Sequence, residues 1–295
     1  MLIPNLAGLK QLKVPDDSIA LIIPFFGEFP WFFSFFLKTC SYNASIHFFI
    51  ITNNNVDHYH LPGNVFVIHR NFDELKKDIS TRLGLEISLE KPYKLCDYKP
   101  AYGIIFSELV KGYAFWGHCD IDIIFGNIKS FITDKILQAY DVISIRHQFV
   151  TGFFALYKNT PVINQLFKQS KDYKKIFTSE KYWGFDECSL LCTPLTEGKK
   201  LSELKADIES ITHIVKKLAK EKKIKAYFNF HVVESTPGNL KWIKGKLIYK
   251  DAYEVLLYHL VSFKIHEQLK IPKWKQVPDA FAINTSSISK LKSYI

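Results

Sequence analysis

The stretch F-W-G-H-C-D-I-D-I-I-F-G, residues 115–126, decides how the chain reads. An apolar, strand-like run ends at two carboxylates, Asp120 and Asp122, and a second apolar run follows them. Side chains two apart on extended backbone point the same way, so both carboxylates leave the strand end on one side. Placed so, they repel each other unless a cation lies between them. A hard divalent ion such as Mg²⁺ or Mn²⁺ takes carboxylate oxygens and keeps positions open for phosphate oxygens. That arrangement suits holding a diphosphate and neutralising it as it leaves. A D-x-D also occurs by chance as a solvated surface turn, but the hydrophobic flanks on both sides argue against that reading here.

Working outward, residues 18–23, 46–51 and 65–69 are short apolar runs that read as strands, with 31–40 and 71–83 as helices between and after them. Strands without polar alternation, separated by helices, predict parallel βαβ units buried on both faces. Such sheets put their ligand loops at the carboxyl ends of the strands. Further strands are expected at 113–116, 141–145 and 153–157, and helices at 100–111, 161–167, 199–225 and 253–263. In 199–225, Leu201, Leu204, Ile208, Ile211, Val215 and Leu218 form an amphipathic stripe, and six lysines crowd residues 216–225. Short strands are expected around Gly238 and Gly245, and the segment from Pro272 reads as a loosely held arm. The expected organisation is one domain over 1–270 and an arm over 271–295.

The 295 residues are 47% hydrophobic and 23% charged, which excludes disorder, collagen and coiled coil as whole-chain descriptions. Twenty-five Phe and 15 Tyr against one Met predict an aromatic core and ring-lined pockets. Lys and Arg exceed Asp and Glu by 39 to 29, a net +10 that favours anionic partners. The five cysteines, Cys40, Cys96, Cys119, Cys188 and Cys192, show no zinc spacing and read as free, mostly buried thiols. Residues 1–14 lack the pattern of a secretory leader. Residues 19–37 are apolar, but Pro24, Gly27, Glu28 and Pro30 interrupt them, so a membrane span is not expected. The expected location is cytoplasmic; the lysine-rich tract reads first as a solvated helix end suited to the macrodipole, with peripheral contact on the inner face of an anionic membrane as the alternative. No nucleic-acid partner is expected, because the aromatics lie in apolar runs and not among the basic residues.

The block Y-K-L-C-D-Y-K-P-A-Y-G (93–103), together with the D-x-D segment through Ile128, resembles a group of bacterial GT-A-fold glycosyltransferases once catalogued as a domain of unknown function. I-I-P-F-F-G-E-F-P-W-F (22–32), I-T-N-N (51–54), Y-W-G-F-D-E (182–187), W-I-K-G-K-L (242–247) and E-V-L-L-Y-H-L-V-S-F-K (254–264) fit the same group. The resemblance implies a GT-A-like α/β fold: a mixed, mainly parallel central sheet flanked by helices, with a smaller C-terminal subregion. It also implies a divalent metal and a nucleotide-sugar donor, UDP-linked, whose sugar passes to a hydroxyl of a glycan or glycolipid in cell-surface polysaccharide synthesis. Asp120 would face ribose and metal, Asp122 would ligate the metal, and His259 would be a third ligand. Lys264 would meet phosphate. Related enzymes with an H-x-x-G-x-x-K-P-W motif carry Gly three positions after the His, where this chain has Ser262. Lys264 follows His259 by five positions instead of six, and no P-W follows.

Asp186 and Glu187 are the candidate catalytic carboxylates, to take a proton from the acceptor hydroxyl, to orient the acceptor or to stabilise an oxocarbenium-like state; an acidic pair at a helix N-terminus is the alternative. Pro24, Phe25 and Phe26 follow the first strand where the fold brings a loop to the base, and at least one Phe is expected in the core. Thr52 and Asn53 are candidates for base or ribose, and Asp97 and Lys99 for phosphate at a helix start. Gly152 is either a close approach to the sugar or a turn. Two other readings compete: a sugar-nucleotide pyrophosphorylase, which usually carries a Gly-rich basic loop where this chain has P-F-F-G-E-F-P, and a non-catalytic basic module that docks on membrane or nucleic acid.

Overall fold

The computed structural model describes residues 18–291, so the reading of residues 1–14 lies outside the described residues. Strands are β1 Ile19–Pro24, β2 Ile46–Thr52, β3 Val65–His69, β4 Phe115–Cys119, β5 Ile123–Phe125, β6 Val142–Ser144, β7 Phe154–Lys158 and β8 Ala226–Phe228. They continue with β9 Val232–Val233, β10 Leu240–Ile243, β11 Lys246–Tyr249, β12 Tyr253–Val255, β13 Leu257–His259, β14 Ala280–Ile283 and β15 Ile288–Lys290. The central sheet has the order β3-β2-β1-β4-β7-β6-β8. All its pairings are parallel except those of β7, which runs against both β4 and β6. The protein is therefore mixed α/β with a large, mainly parallel central sheet, as expected. A smaller antiparallel sheet, β12-β11-β10-β14-β15, lies C-terminally, and a three-stranded sheet, β5-β13-β9, accompanies them.

The apolar runs form this sheet because both of its faces are covered. Leu21, Ile23, Phe48 and Ile50 point into one core, where the helix Phe33–Ser41 and the smaller sheets pack. Ala20, Ile22, Phe49 and Ile51 point into the other, against the helices Phe72–Leu83 and Ile211–Lys220. The first of these last two helices is capped as its sequence suggests: the Asn71 side chain accepts from the N–H groups of Asp73 (2.8 Å) and Glu74 (3.2 Å). After β1 the chain moves outward through β2 and β3, then returns to the other side of β1 with β4. The strand order reverses there, so the carboxyl ends of β1 and β4 flank the crevice where open α/β sheets take ligands.

Several expected elements are different in the structure. Residues 100–111 hold only the short helix Tyr102–Ile105, preceded by the 3₁₀ segment Pro92–Ala101. Pro100 has no N–H for a helical ladder. Strand β4 starts two residues later than expected and runs to Cys119, directly up to the carboxylates. The helix expected over 199–225 is confined to Ile211–Lys220. The apolar stripe before it is tertiary instead of helical: Leu201 and Leu204 pack with Phe149, Cys188 and Leu195, while Ile208 joins the larger core. Backbone N–H groups of this segment are tied to other loops, Glu209 to Asp172 Oδ2 (2.8 Å) and Ile211 to the Phe185 carbonyl (2.9 Å).

The helix expected over 253–263 is absent, and β12 and β13 stand in its place. A short apolar run is a buried strand or a helix with equal periodicity, and here pairing partners decide: β13 is hydrogen-bonded between β5 and β9. The supposed arm is built into the smaller sheet through β14 and β15, with Phe281 and Ile283 fully buried. Segment 19–37 is a strand, a turn and a helix, and no helix among the described residues is long and apolar enough to cross a membrane.

Candidate active site

Strand β4 delivers Asp120 and Asp122 to its carboxyl end, and β13 delivers His259 from the far end of the chain. The register of β13 against β5 sets His259 opposite Ile123, next to Asp122. One ligand atom from each of Asp120, Asp122 and His259 lies within 4.8 Å of the others. His259 Nε2 is 3.4 Å from Asp122 Oδ2, and its Nδ1 is 3.1 Å from Glu234 Oε1. Glu234 in turn pairs with Arg146, and the Phe153 ring stacks on the imidazole at 4.2 Å. A carboxylate on one imidazole nitrogen turns the other toward a metal and fixes its tautomer. Two carboxylates and an oriented imidazole form a donor set that fits Mn²⁺ well and Mg²⁺ less well, since imidazole is the softer ligand.

Two ammonium groups meet the same carboxylates. Lys99 Nζ donates to Asp120 Oδ1 (2.7 Å) and to the Gly152 carbonyl (2.8 Å), and lies 3.6 Å from Asp186 Oδ2. Lys264 Nζ donates to Asp122 Oδ2 (2.6 Å). Burial alone would raise the Asp122 pKa, but the hydrogen bond and charge of His259, with Lys264, hold it well below the usual carboxylate range. Burial works against the Lys99 ammonium as well, yet Asp120, then Cys96 and Asp186, keep its pKa well above the ordinary lysine value.

The cluster opens into a cleft of about 650 Å³ at the β1/β4 crevice. Pro24, Phe25 and Phe26 line it together with Lys99, Asp120, Asp122 and Lys264, so the structure brings these expected residues to one place. Phe26 is nearly buried, edge-on to Phe72 at 5.1 Å, and is the core member of the Phe pair. Phe25 is half-buried and stacks on Phe29 at 5.3 Å.

Other expected residues lie elsewhere. Thr52 is buried and its hydroxyl accepts from the Asn54 N–H (3.1 Å); Asn53 is exposed; neither lines the cleft. Asp97 does not face the cleft either. Its carboxylate is fully buried and accepts from the N–H groups of Trp183 (2.9 Å) and Phe185 (2.8 Å) and from the ammonium of buried Lys94 (2.8 Å). It pins the Y-W-G-F-D-E loop to the 93–103 block.

Asp186 is 2% exposed and lies behind Lys99, its Oδ1 accepting from the Tyr182 hydroxyl (3.2 Å). Burial, with neighbouring Glu187, Asp97 and Asp120, holds its pKa well above the usual value despite Lys99. A general base works in its ionised form, which burial and the neighbouring acids disfavour at Asp186 while Lys99 favours it. Glu187 is half-buried; its Oε1 accepts from the Gly152 N–H (2.8 Å) and its Oε2 from the Cys192 thiol (3.3 Å). Gly152 packs tightly against this pair: a Cβ there would lie 2.5 Å from Asp186 Oδ2 and 2.9 Å from Glu187 Cγ. All five cysteines are free, as expected.

Sequence reasoning missed Glu234, Arg146 and Lys94. The first two carry no motif, because their role depends on where β6, β9 and β13 bring residues together. Lys94 lay inside a quoted block, but nothing in a sequence says that a lysine is buried.

The profile of a family described as a family of unknown function, DUF6625, matches residues 21–292. The chain belongs to that family. No curated protein matches this DUF6625 chain in sequence. Among solved structures it is similar to the glycosyltransferase GlyE of Streptococcus pneumoniae TIGR4, at 10% identity and a TM-score of 0.35, over 72% of this chain. The chain spans 45% of the length of GlyE. It is also similar to the galactosyltransferase LgtC in complex with donor and acceptor sugar analogues (10% identity, TM-score 0.33, 72% of each chain). Mouse xyloside xylosyltransferase 1 matches at 10% identity and a TM-score of 0.37, over 82% of this chain and 96% of that one.

Proposed function

We propose that this DUF6625 chain is a metal-dependent, GT-A-like glycosyltransferase that moves a sugar from a nucleotide-sugar donor, UDP-linked, to a hydroxyl of a glycan or glycolipid acceptor. The observation that carries the reading is the convergence of Asp120, Asp122 and His259 at the strand-end crevice, where the two carboxylates line an aromatic-walled cleft. A divalent ion on those three residues would neutralise the diphosphate leaving group.

The chain's own residues complete the task. Two carboxylates and two ammonium groups balance within the cluster, so a bound divalent ion leaves a surplus of positive charge for an anionic donor. Lys264 is one-third exposed at its side chain, so its ammonium is available to donor phosphate oxygens. Phe25 offers a ring face for the base. Asp186 and Glu187 act as positioning residues, holding Lys99 and the Gly152 backbone against Asp120. The lysine-rich tract beyond residue 216 would let the enzyme meet an anionic membrane that carries its acceptor.

The test is calorimetric titration with UDP in Mn²⁺ and then in EDTA, repeated with GDP and CMP. Asp122→Asn and Asp120→Asn follow, with circular dichroism as the check on folding. Binding of one nucleotide that needs the metal and is lost in both folded variants is the expected result. Nucleotide binding unchanged by EDTA and by both variants refutes the metal assignment, and no nucleotide binding by the folded protein refutes the transferase reading.

A further inference from the structure

A second concave surface lies outside the cleft. A groove of about 580 Å³ runs between residues 195–202 and one side of the helix Ile211–Lys220. Lys199, Lys200, Lys216, Lys217 and Lys220 line it, with His213 beside them, and no Asp or Glu is in the lining. None of the five ammonium groups has an ion-pair partner among the described residues. Three acids lie nearby in sequence outside the lining: Glu197 is exposed on the 195–202 segment, Glu203 accepts from the Lys200 backbone N–H, and Glu221 pairs with Lys223 and also feels the charge of Lys217.

The arrangement differs from a solvated helix end in three respects. It is concave. Lys216 is partly sunk, its ammonium 5.1 Å from the centre of the Phe228 ring, and burial lowers its pKa. Gln148, on the groove wall, has a buried Oε1 with no hydrogen-bond partner. Five cations facing one hollow repel one another, and that repulsion is relieved by a compact, multiply charged anion. Lysines bind phosphate as point charges without the planar geometry that arginine demands. Gln148 places a polar side chain beside the charge.

We infer that this groove is a binding site for a phosphate-rich group, a diphosphate or clustered phosphomonoester next to a hydroxyl-bearing moiety. Such a group comes either from a soluble phosphate ester or from a phospholipid headgroup. None of the cleft residues takes part, so the soluble-ligand form is independent of the transferase reading, while the headgroup form deepens the membrane contact proposed for the same lysines.

The test is run in EDTA, where the carboxylate cluster holds no metal. Binding of inorganic pyrophosphate is measured by calorimetry, and binding to phosphatidylcholine vesicles with and without phosphatidic acid by co-sedimentation. Lys216→Gln/Lys217→Gln/Lys220→Gln empties one wall, and Lys199→Gln/Lys200→Gln, at exposed positions, thins the other, with circular dichroism as the check on folding. Lys222→Gln/Lys223→Gln/Lys225→Gln removes the same charge just outside the groove. Each cation is worth about fivefold, so the triple groove variant should lose about a hundredfold and the double about twentyfold, with the outside variant nearly unchanged. That pattern with pyrophosphate supports a soluble ligand, and the same pattern seen only with phosphatidic acid vesicles supports a headgroup. Equal losses in the groove and outside variants overturn the site in favour of diffuse charge. Absence of binding to either probe overturns it outright.

Discussion

Replacing Asp97 by Ala separates a residue that binds nucleotide from one that holds two loops together. The Asp97 carboxylate is fully buried and has three partners, the N–H groups of Trp183 and Phe185 and the Lys94 ammonium. After truncation Lys94 keeps the carbonyls of Ile176 (2.9 Å) and Lys181 (2.6 Å) but no counter-charge. Breaking a buried pair from one side costs about 3–5 kcal/mol. Each orphaned N–H adds about 1–3 kcal/mol when dry, less when a water enters the space left by the carboxyl. The expected loss is about 4–8 kcal/mol, a large share of the roughly 5–15 kcal/mol that holds a domain together.

The assay is equilibrium unfolding in urea followed by tryptophan fluorescence. Lys94→Met in the same chain removes the stranded charge, so Asp97→Ala/Lys94→Met should recover at least about 2 kcal/mol relative to Asp97→Ala. A loss under about 2 kcal/mol, or no coupling between the two sites, would falsify the anchoring role. Normal stability with lost nucleotide affinity would return Asp97 to the phosphate role that its position before Pro100 suggests.

Two further outcomes are expected. Glu234→Gln should weaken Mn²⁺ binding about 10- to 100-fold while leaving the fold intact, because the Glu234 carboxylate orients His259; unchanged affinity by calorimetry would show that the imidazole is held by Phe153 stacking alone. Burial lowers the pKa of His47, whose Nδ1 lies 2.6 Å from the Tyr113 hydroxyl. Its folded pKa lies below its unfolded one, so the stability it contributes is full above about pH 6.5 and is lost as pH falls. The stability difference between the wild type and His47→Gln should therefore shrink from pH 7.5 to about pH 5.5, and a constant difference would contradict the burial argument.

Much of the central sheet was legible in the residues. Apolar runs such as 19–23 and 46–51 read as strands buried on both faces, and 71–83 read as the helix that the structure shows as Phe72–Leu83. Asp120 and Asp122 were legible as a pair because their chemistry is local: two carboxylates at the end of one strand share a side whatever the rest of the chain does. Aromatic content alone predicted ring-lined space, and Phe25 with Phe26 fell where the cleft is.

The rest depended on partners distant in sequence. Whether 253–263 was helix or strand turned on β5 and β9, and the same pairing carried His259 to Asp122 from 137 residues away. Sequence shows the charge and position of Asp97 and Asp186 but not their burial. Once Lys94 and Lys99 were packed beside them, one became a loop anchor and the other a buried support. Glu234 carried no signal at all, since a carboxylate gains meaning only from the imidazole that folding sets against it. The groove lysines were visible as a run of charge. Only the fold, by breaking the expected long helix and laying residues 195–202 alongside what remained of it, made that charge concave.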